Sequence, residues 1–354
     1  MRPDDSSLSR RTAIWAITPN GAAIAEKLAD HLNGDIFLSH NIGFDLPVSR
    51  TFDKLKTALT EVFSDYRNHV FIMAVGIVVR IVGPMAVHKK SDPAVVVVDD
   101  AGRFAISLLS GHIGMANKLA AQTAEIIGAM PVITTATDVN QLFAVDAWAV
   151  ENNIAIENHG AIKSINMALI RKEKPNIYDP YGFMDSSLKS DFFMEITDLK
   201  KVQTSLPAVI IDDRKTGSPE NALLLRPPTL AAGMGCNRNT DADEMETLLK
   251  ETFRTNGLSP LSLFILGSVD LKKDETGLLV LCKRLGIAPT FYDKNELNRV
   301  ERIVTPSETV HKHTGTKSVC EAAAILASGG GELIIPKQRS KNATIALARI
   351  NCLS

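Results

Sequence analysis

The chain has 354 residues, 45% hydrophobic and 22% charged, the balance of an ordinary folded protein with room for two or three domains, not of a disordered or fibrous chain. A formal charge of −1 provides no global field for a polyanion such as DNA, so an anionic ligand has to be met by local groups. The segment MRPDDSSLSRR carries acidic residues with no apolar run behind it, no stretch approaches bilayer-spanning length, and Cys236, Cys282, Cys320 and Cys352 show no paired spacing; the expectation is a reduced, cytoplasmic protein without disulfides.

The first third has a β-α-β rhythm: a strand over Thr12–Thr18, a helix over Ala22–Leu32 and a strand over Asp35–Ser39. A second helix over Phe52–Phe63 leads to a strand at Val70–Val75, after which Gly76 opens a short helix that Pro84 closes. Two apolar runs, Ala94–Val98 and Phe104–Leu109, flank the turn residues Asp99–Arg103, which predicts paired strands and a mixed sheet. Leu119, Thr123, Ile126 and Ile127 repeat at helical spacing with Gly128 as C-terminal cap, and Pro131–Thr135 reads as the next strand. From Asn140 to Leu225 the pattern is weaker, with one expected strand at Ala208–Ile211. A third unit follows: strand Leu230–Cys236, helix Ala242–Phe253, strand Leu263–Leu266, helix Thr276–Leu285, helix Lys317–Leu326, strand Gly331–Pro336 and a final strand Ala343–Ile350. Strands alternating with helices give an α/β class: N-terminal and C-terminal three-layer α/β/α domains at 1–138 and 229–354, joined by a small middle module at 139–228.

The richest constellation is a strand, then Ser110-Gly111-His112-Ile113-Gly114, then a helix. Such a glycine-bearing turn presents backbone N–H groups at a helix N-terminus, where a carboxylate, phosphate or oxyanion is favoured. The dinucleotide GxGxxG, the Walker GxxxxGK[ST] and the GxSxG elbow are missing, which counts against a nucleotide-dependent α/β enzyme. His112 is the natural acid or base at neutral pH. Asn117 is placed to donate to a carbonyl, and Asp138, in the loop Thr134–Asn140, to act as general base or to orient His112. Each has a plainer reading as well: Ser110, Asn117 and Asp138 as helix caps, His112 as a hydrogen-bonded loop residue. Cys236 has no neighbour that lowers its pKa and reads as a structural thiol, and His311 with His313 as exposed loop residues without a third metal ligand.

The blocks GIVVRIVGPMAVHKKSDPAVVVVDDAGRFAISLLSGHIGMANKLA (76–120) and GAMPVITTATDVN (128–140) resemble the N-terminal domain of cobalt-precorrin-5A hydrolases, the CbiG family of cobalamin biosynthesis, and ITPNGA (17–22) fits its first loop. GMGC (233–236), SVDLKKDETGL (268–278) and EAAAILASGGGELIIPKQRSKNATIALAR (321–349) resemble its C-terminal domain, which is shared with a small stand-alone relative. The resemblance implies opening of the ring-A acetate δ-lactone of cobalt-precorrin-5A and release of C20 with its methyl as acetaldehyde, giving cobalt-precorrin-5B in the anaerobic pathway. It implies no resident cofactor or metal, the cobalt being carried by the substrate. His112, Asp138 and Ser110 are then the candidate catalytic residues, with Gly111 and Gly114 lending N–H groups to an oxyanion.

The acetates and propionates of such a substrate call for basic groups, and the candidates are Arg80, Arg238, Lys272, Lys273, Lys337 and Arg339, with Asn342 beside the last two. Two departures from the family pattern stand out. Gly-Cys-Arg-Arg-Gly-Thr is here Gly235-Cys236-Asn237-Arg238-Asn239-Thr240, and Lys341 stands where glycine is usual. Asn239 tolerates a left-handed turn, while Asn237 forms no ion pair. The expected partners are the cobalt-containing tetrapyrrole, a second copy in a homodimer and transient contacts with pathway methyltransferases, with no nucleic acid and no membrane. The competing reading is a non-catalytic corrinoid-binding or channelling protein that holds the macrocycle with the same loops.

Overall fold

The computed structural model describes residues 12–43, 49–87, 92–135, 142–201, 206–215, 221–306 and 318–351. The chain falls into two compact units, Met1–Trp148 and Ala149–Ser354.

In the first unit, β1 (Thr12–Ala16), β2 (Gly34–Ser39), β3 (Ser49–Phe52), β4 (Asn68–Ile72), β5 (Ala94–Val98), β6 (Phe104–Leu109) and β7 (Met130–Val132) form one sheet in the order β3-β2-β1-β4-β5-β6-β7. Alternation along each strand divides its side chains between two cores. Ile14 and Ala16 pack with Leu28 of α1 (Pro19–Leu32) and Leu119 of α4 (Ala116–Ile127), and Ala13 and Trp15 pack with Leu59 of α2 (Leu55–Val62) and Val78 of α3 (Val75–Val82). Helices on both faces explain why Ala94–Val98 is apolar at every position and fully buried.

β1 to β5 run parallel, whereas β6 runs against β5, with Val95 opposite Leu109 and Val98 opposite Ala105. The reversal is made where the sequence placed it: Asp99 Oδ1 accepts from the N–H of Arg103 (2.8 Å) and Phe104 (2.7 Å), and Gly102 takes φ 65°. Because β7 runs parallel to β6, the loops that leave β6 and β7 emerge together at the edge where β1 to β5 begin. The ITPNGA loop, after β1, is therefore at the opposite edge from the His112 loop. The strand at Ser49–Phe52 was not expected; four residues of SRTF offer too short a pattern, and α2 begins at Leu55 because Phe52 is used in that strand.

The second unit holds two five-stranded sheets. β8 (Ala155–Ile156), β9 (Asn176–Tyr178), β10 (Met194–Glu195), β11 (Ala208–Ile211) and β12 (Ala222–Arg226) pair in the order β10-β9-β11-β12-β8. β13 (Leu230–Cys236), β14 (Leu263–Val269), β15 (Pro289–Tyr292), β16 (Leu333–Arg339) and β17 (Ala343–Arg349) pair in the order β15-β14-β13-β17-β16. Helices Ala242–Thr255 and Thr276–Leu285 contribute Leu249, Phe253 and Leu281 to the core on one face of β13 and β17. Helix Val319–Ala327 lies on the other face, so close that a Cβ on Gly233 would stand 1.9 Å from the Cys320 carbonyl oxygen. The unit also contains a buried charge cluster: Asp213, fully buried, pairs with Arg349 and accepts from Thr229 Oγ1 (2.6 Å) and Tyr181 OH (3.1 Å).

Candidate functional site

The Ser110–Gly114 turn is held by its own backbone. Ser110 (φ 60°) and Met115 (φ 67°) are both left-handed, an uncommon and strained state for residues with a Cβ. Gly114 folds back onto Ser110 so tightly that a Cβ there would lie 2.3 Å from Ser110 Cβ. Gly111 packs against Asn117, whose Oδ1 would be 2.9 Å from an added Cβ. Gly114 is thus required by close approach, and a side chain at Gly111 would have to displace the Asn117 amide.

Expecting the first N–H groups of α4 to face a ligand needs correction. The N–H of Ala116 donates to Ser110 O (3.1 Å) and that of Asn117 to Gly111 O (3.0 Å), because the left-handed residues turn those carbonyls back over the helix end. Those two N–H groups are spent within the turn, and the N–H groups of the Gly111–Gly114 segment stay candidates for an oxyanion. Ser110 Oγ donates to Asp92 O (3.0 Å). Asn117, 7% exposed, accepts from Ser107 Oγ (2.7 Å) and donates to Thr135 Oγ1 (2.8 Å), so it braces α4 against β6 and the exit of β7. Asp138 lies outside the described residues.

His112 has a carboxylate beside it all the same. Asp146 Oδ2 lies 3.4 Å from His112 Nδ1, with the two side chains 6% and 15% exposed. Asp146 sits in the first turn of helix Val145–Glu151, whose Val145 and Ala149 are fully buried. Sequence reasoning missed it; the available signal was a single acid inside the apolar run AVDAWAV. The turn therefore brings together Ser110, Gly111, His112, Gly114 and Asn117, while Arg80 stands exposed on α3.

The second unit gathers the other candidates. Arg238, Lys337, Arg339 and Asn342 line one cavity of about 720 Å³, together with Lys272 and Lys341. No carboxylate lines it among the described residues. The acids that steady its cations stand behind: Arg238 pairs with Asp274 (2.6 Å) and Lys272 with the buried Glu275 (3.5 Å). The Asp274 hydrogen bond and charge hold the Arg238 guanidinium protonated, raising its pKa further. Lys337 Nζ donates to Thr305 O (2.8 Å), and the Lys337 N–H to Glu321 Oε1 (2.9 Å). Burial opposes ionisation of Glu321, but hydrogen bonds from Thr305, Lys337 and Val304 outweigh it and hold the carboxyl below its usual range.

Asn342 is at the cavity for a structural reason: its Nδ2 donates to Glu244 Oε2 (3.0 Å) and its Oδ1 accepts from Asn237 Nδ2 (3.3 Å). Asn239 takes the left-handed turn at φ 60° and its N–H donates to Glu275 Oε1 (2.7 Å). Cys236 also lines the cavity, and burial pushes its thiol up, against the more modest pull of Lys272, so it is not poised as a thiolate. His311 and His313 lie outside the described residues. No helix is long and apolar enough to cross a membrane among the residues described.

Three family models match the chain in order: "Cobalamin synthesis G N-terminal" over residues 57–138, "Cobalamin biosynthesis central region" over 143–227 and "Cobalamin synthesis G C-terminus" over 230–348. A cobalt-precorrin-5A hydrolase of Priestia megaterium is 34% identical over 364 aligned positions, covering 96% of this chain and 94% of its own. One from Salmonella typhimurium is 35% identical, covering 95% and 96%. Protein CobE of Sinorhizobium sp is 34% identical over 121 positions, 34% of this chain and 79% of its own.

Proposed function

The chain belongs to the cobalamin synthesis G family, and from that premise we propose that it is a cobalt-precorrin-5A hydrolase. The observation that carries the reading is identity of 34% and 35% to two hydrolases of that name across nearly the whole of each chain. The basic cavity of the second unit supports it independently, since a tetrapyrrole rich in acetate and propionate groups needs converging cations, and arginine matches a carboxylate in two-point fashion. Arg238, Lys337 and Arg339 hold substrate carboxylates in this reading, and Asn342 shapes the rim.

In the reaction, water adds to the carbonyl of the ring-A acetate δ-lactone and the ring carbon–oxygen bond breaks, leaving a carboxylate and a hydroxyl on C20. Loss of that hydroxyl proton forms the aldehyde double bond as the bond from C20 to the macrocycle breaks. The electron pair stays with the macrocycle, which takes up a proton, and C20 departs with its methyl as acetaldehyde. His112 is the base for the hydroxyl proton, a role its side chain suits near neutral pH. The Gly111–Gly114 segment, which follows Ser110, donates to the lactone oxyanion. Asp138 is the candidate for the acid that returns the proton. The cobalt is part of the substrate.

Anaerobic incubation of the full chain with the lactone substrate tests the assignment. Acetaldehyde release with the matching mass loss from the macrocycle is expected. Tight binding without turnover would instead establish the channelling protein, and His112→Ala with full turnover would remove His112 from the chemistry.

A further inference from the structure

We propose that Asp146 is the positioning residue for His112, fixing which ring nitrogen carries the proton. The inference rests on His112 being the base of the proposed reaction. Three observations support it. Asp146 Oδ2 is 3.4 Å from His112 Nδ1, inside ion-pair range and slightly longer than a full hydrogen bond. Protonation of the imidazole would draw the two together, since charge-assisted bonds close to about 2.7–2.9 Å. Second, Asp146 is 4% exposed and its Oδ1 has no hydrogen-bond partner among the described residues. Burying a carboxylate is costly unless a cation or strong donor stands beside it, and His112, next to the other oxygen Oδ2, is such a group. Third, both partners sit on ordered backbone elements: Asp146 in a helix whose Val145 and Ala149 are buried, and His112 in a turn closed by Gly114 against Ser110.

A carboxylate at Nδ1 selects the Nδ1–H tautomer, leaving the Nε2 lone pair as the basic site, and stabilises the imidazolium formed when Nε2 takes a proton. Asp146 thereby fixes the ring's tautomer and orientation without touching the substrate. The sequence reading left Asp138 open as a general base or as the residue that orients His112; the geometry assigns the orienting role to Asp146.

The test compares wild type, His112→Gln, Asp146→Asn and Asp146→Glu in two measurements, anaerobic steady-state turnover and 15N spectra of histidine-labelled protein, with the His112 signal identified by its loss in His112→Gln. His112→Gln is expected to lose kcat by about 10²–10⁴-fold. Asp146→Asn should lose at least about tenfold in kcat with KM little changed, as for a group acting only as charge develops. Asp146→Glu should recover part of it. In the spectra, wild-type His112 should be the Nδ1–H tautomer and Asp146→Asn should shift it toward Nε2–H. If His112→Gln is impaired while Asp146→Asn keeps both kcat and the wild-type tautomer, the inference is overturned and the base assignment stands. If His112→Gln turns over fully, the base assignment fails, and the spectra alone decide whether Asp146 sets the ring. Should Asp146→Asn fail to fold, an Nε2–H tautomer in wild type overturns the proposal and Nδ1–H supports it.

Discussion

His69 makes the first unit sensitive to acid in a way that can be worked through in numbers. The ring is fully buried in β4, stacked between Phe63 and Phe71, with Trp15 Nε1 donating to its Nδ1 (3.2 Å) and its Nε2–H donating to Phe63 O (3.0 Å). Burial depresses its pKa from 6.5 to about 4, against the weaker opposing effect of the Phe63 carbonyl. A histidine whose folded pKa lies below its unfolded value binds fewer protons in the native state. The stability it allows is therefore complete above pH 6.5 and falls as the pH drops toward 4. At about 1.4 kcal/mol per unit, the shift corresponds to about 3 kcal/mol lost over that window. The control is His69→Gln, which can still accept from Trp15 and donate to Phe63 but does not titrate. Urea unfolding at several pH values from 7.5 to 4, followed by Trp15 fluorescence in a Trp148→Phe background, isolates the effect because the sequence has only two tryptophans. Wild type should lose about 3 kcal/mol relative to His69→Gln between those limits. Parallel pH profiles for the two proteins would refute the reasoning.

Three further outcomes are expected. Asp213→Ala leaves Arg349, Thr229 and Tyr181 without their shared buried acceptor and should cost about 3–5 kcal/mol, read as a fall in the thermal midpoint. Arg339→Glu places an acid among the cations of the 720 Å³ cavity; KM should rise roughly tenfold with kcat nearly unchanged, and raising the salt concentration should weaken wild-type binding in the same direction. Gly114→Ala drives a Cβ to 2.3 Å from Ser110 Cβ, so the turn must open; about 1–3 kcal/mol of stability and most of the turnover should be lost, with KM the less affected parameter.

What sequence made legible follows the strength of local signals. Apolar runs such as Ala94–Val98 and periodic helices such as Ala116–Ile127 carry their own pattern, and the Asp99–Arg103 turn announced the strand reversal. β3, β8, β9, β10 and β15 were missed because two to four residues contain no period to read, and their pairing is decided by neighbouring strands; β12, an apolar run of five residues, was missed as well. At the site, glycine positions disclosed a tight turn, but not the direction of its carbonyls. That depends on left-handed Ser110 and Met115, two residue types with no preference for the conformation. Asp146 was invisible as a partner because its distance to His112 is fixed by packing across 34 positions of chain, which no spacing rule spans.

The same distinction clarifies the departure at Asn237. Where the family pattern has arginine, this chain has a residue whose N–H donates to Asn342 O (2.9 Å) and whose Nδ2 donates to Asn342 Oδ1 (3.3 Å). Glu244 grips the same β16–β17 turn, accepting from Ser340 Oγ (2.6 Å) and the Asn342 N–H (2.7 Å). These bonds hold the turn at the cavity rim, and the residue between Ser340 and Asn342 is Lys341, the second departure. The cation missing at position 237 is matched by one at 341, carried on a turn that Asn237 helps to fix. A coupling between the two positions is the expectation that follows, and it is measurable. Asn237→Ala should weaken substrate binding through the position of Lys341, so in the Lys341→Gly background its effect on KM should shrink to near zero. Additive effects of the two substitutions would mean that the turn holds its place without Asn237.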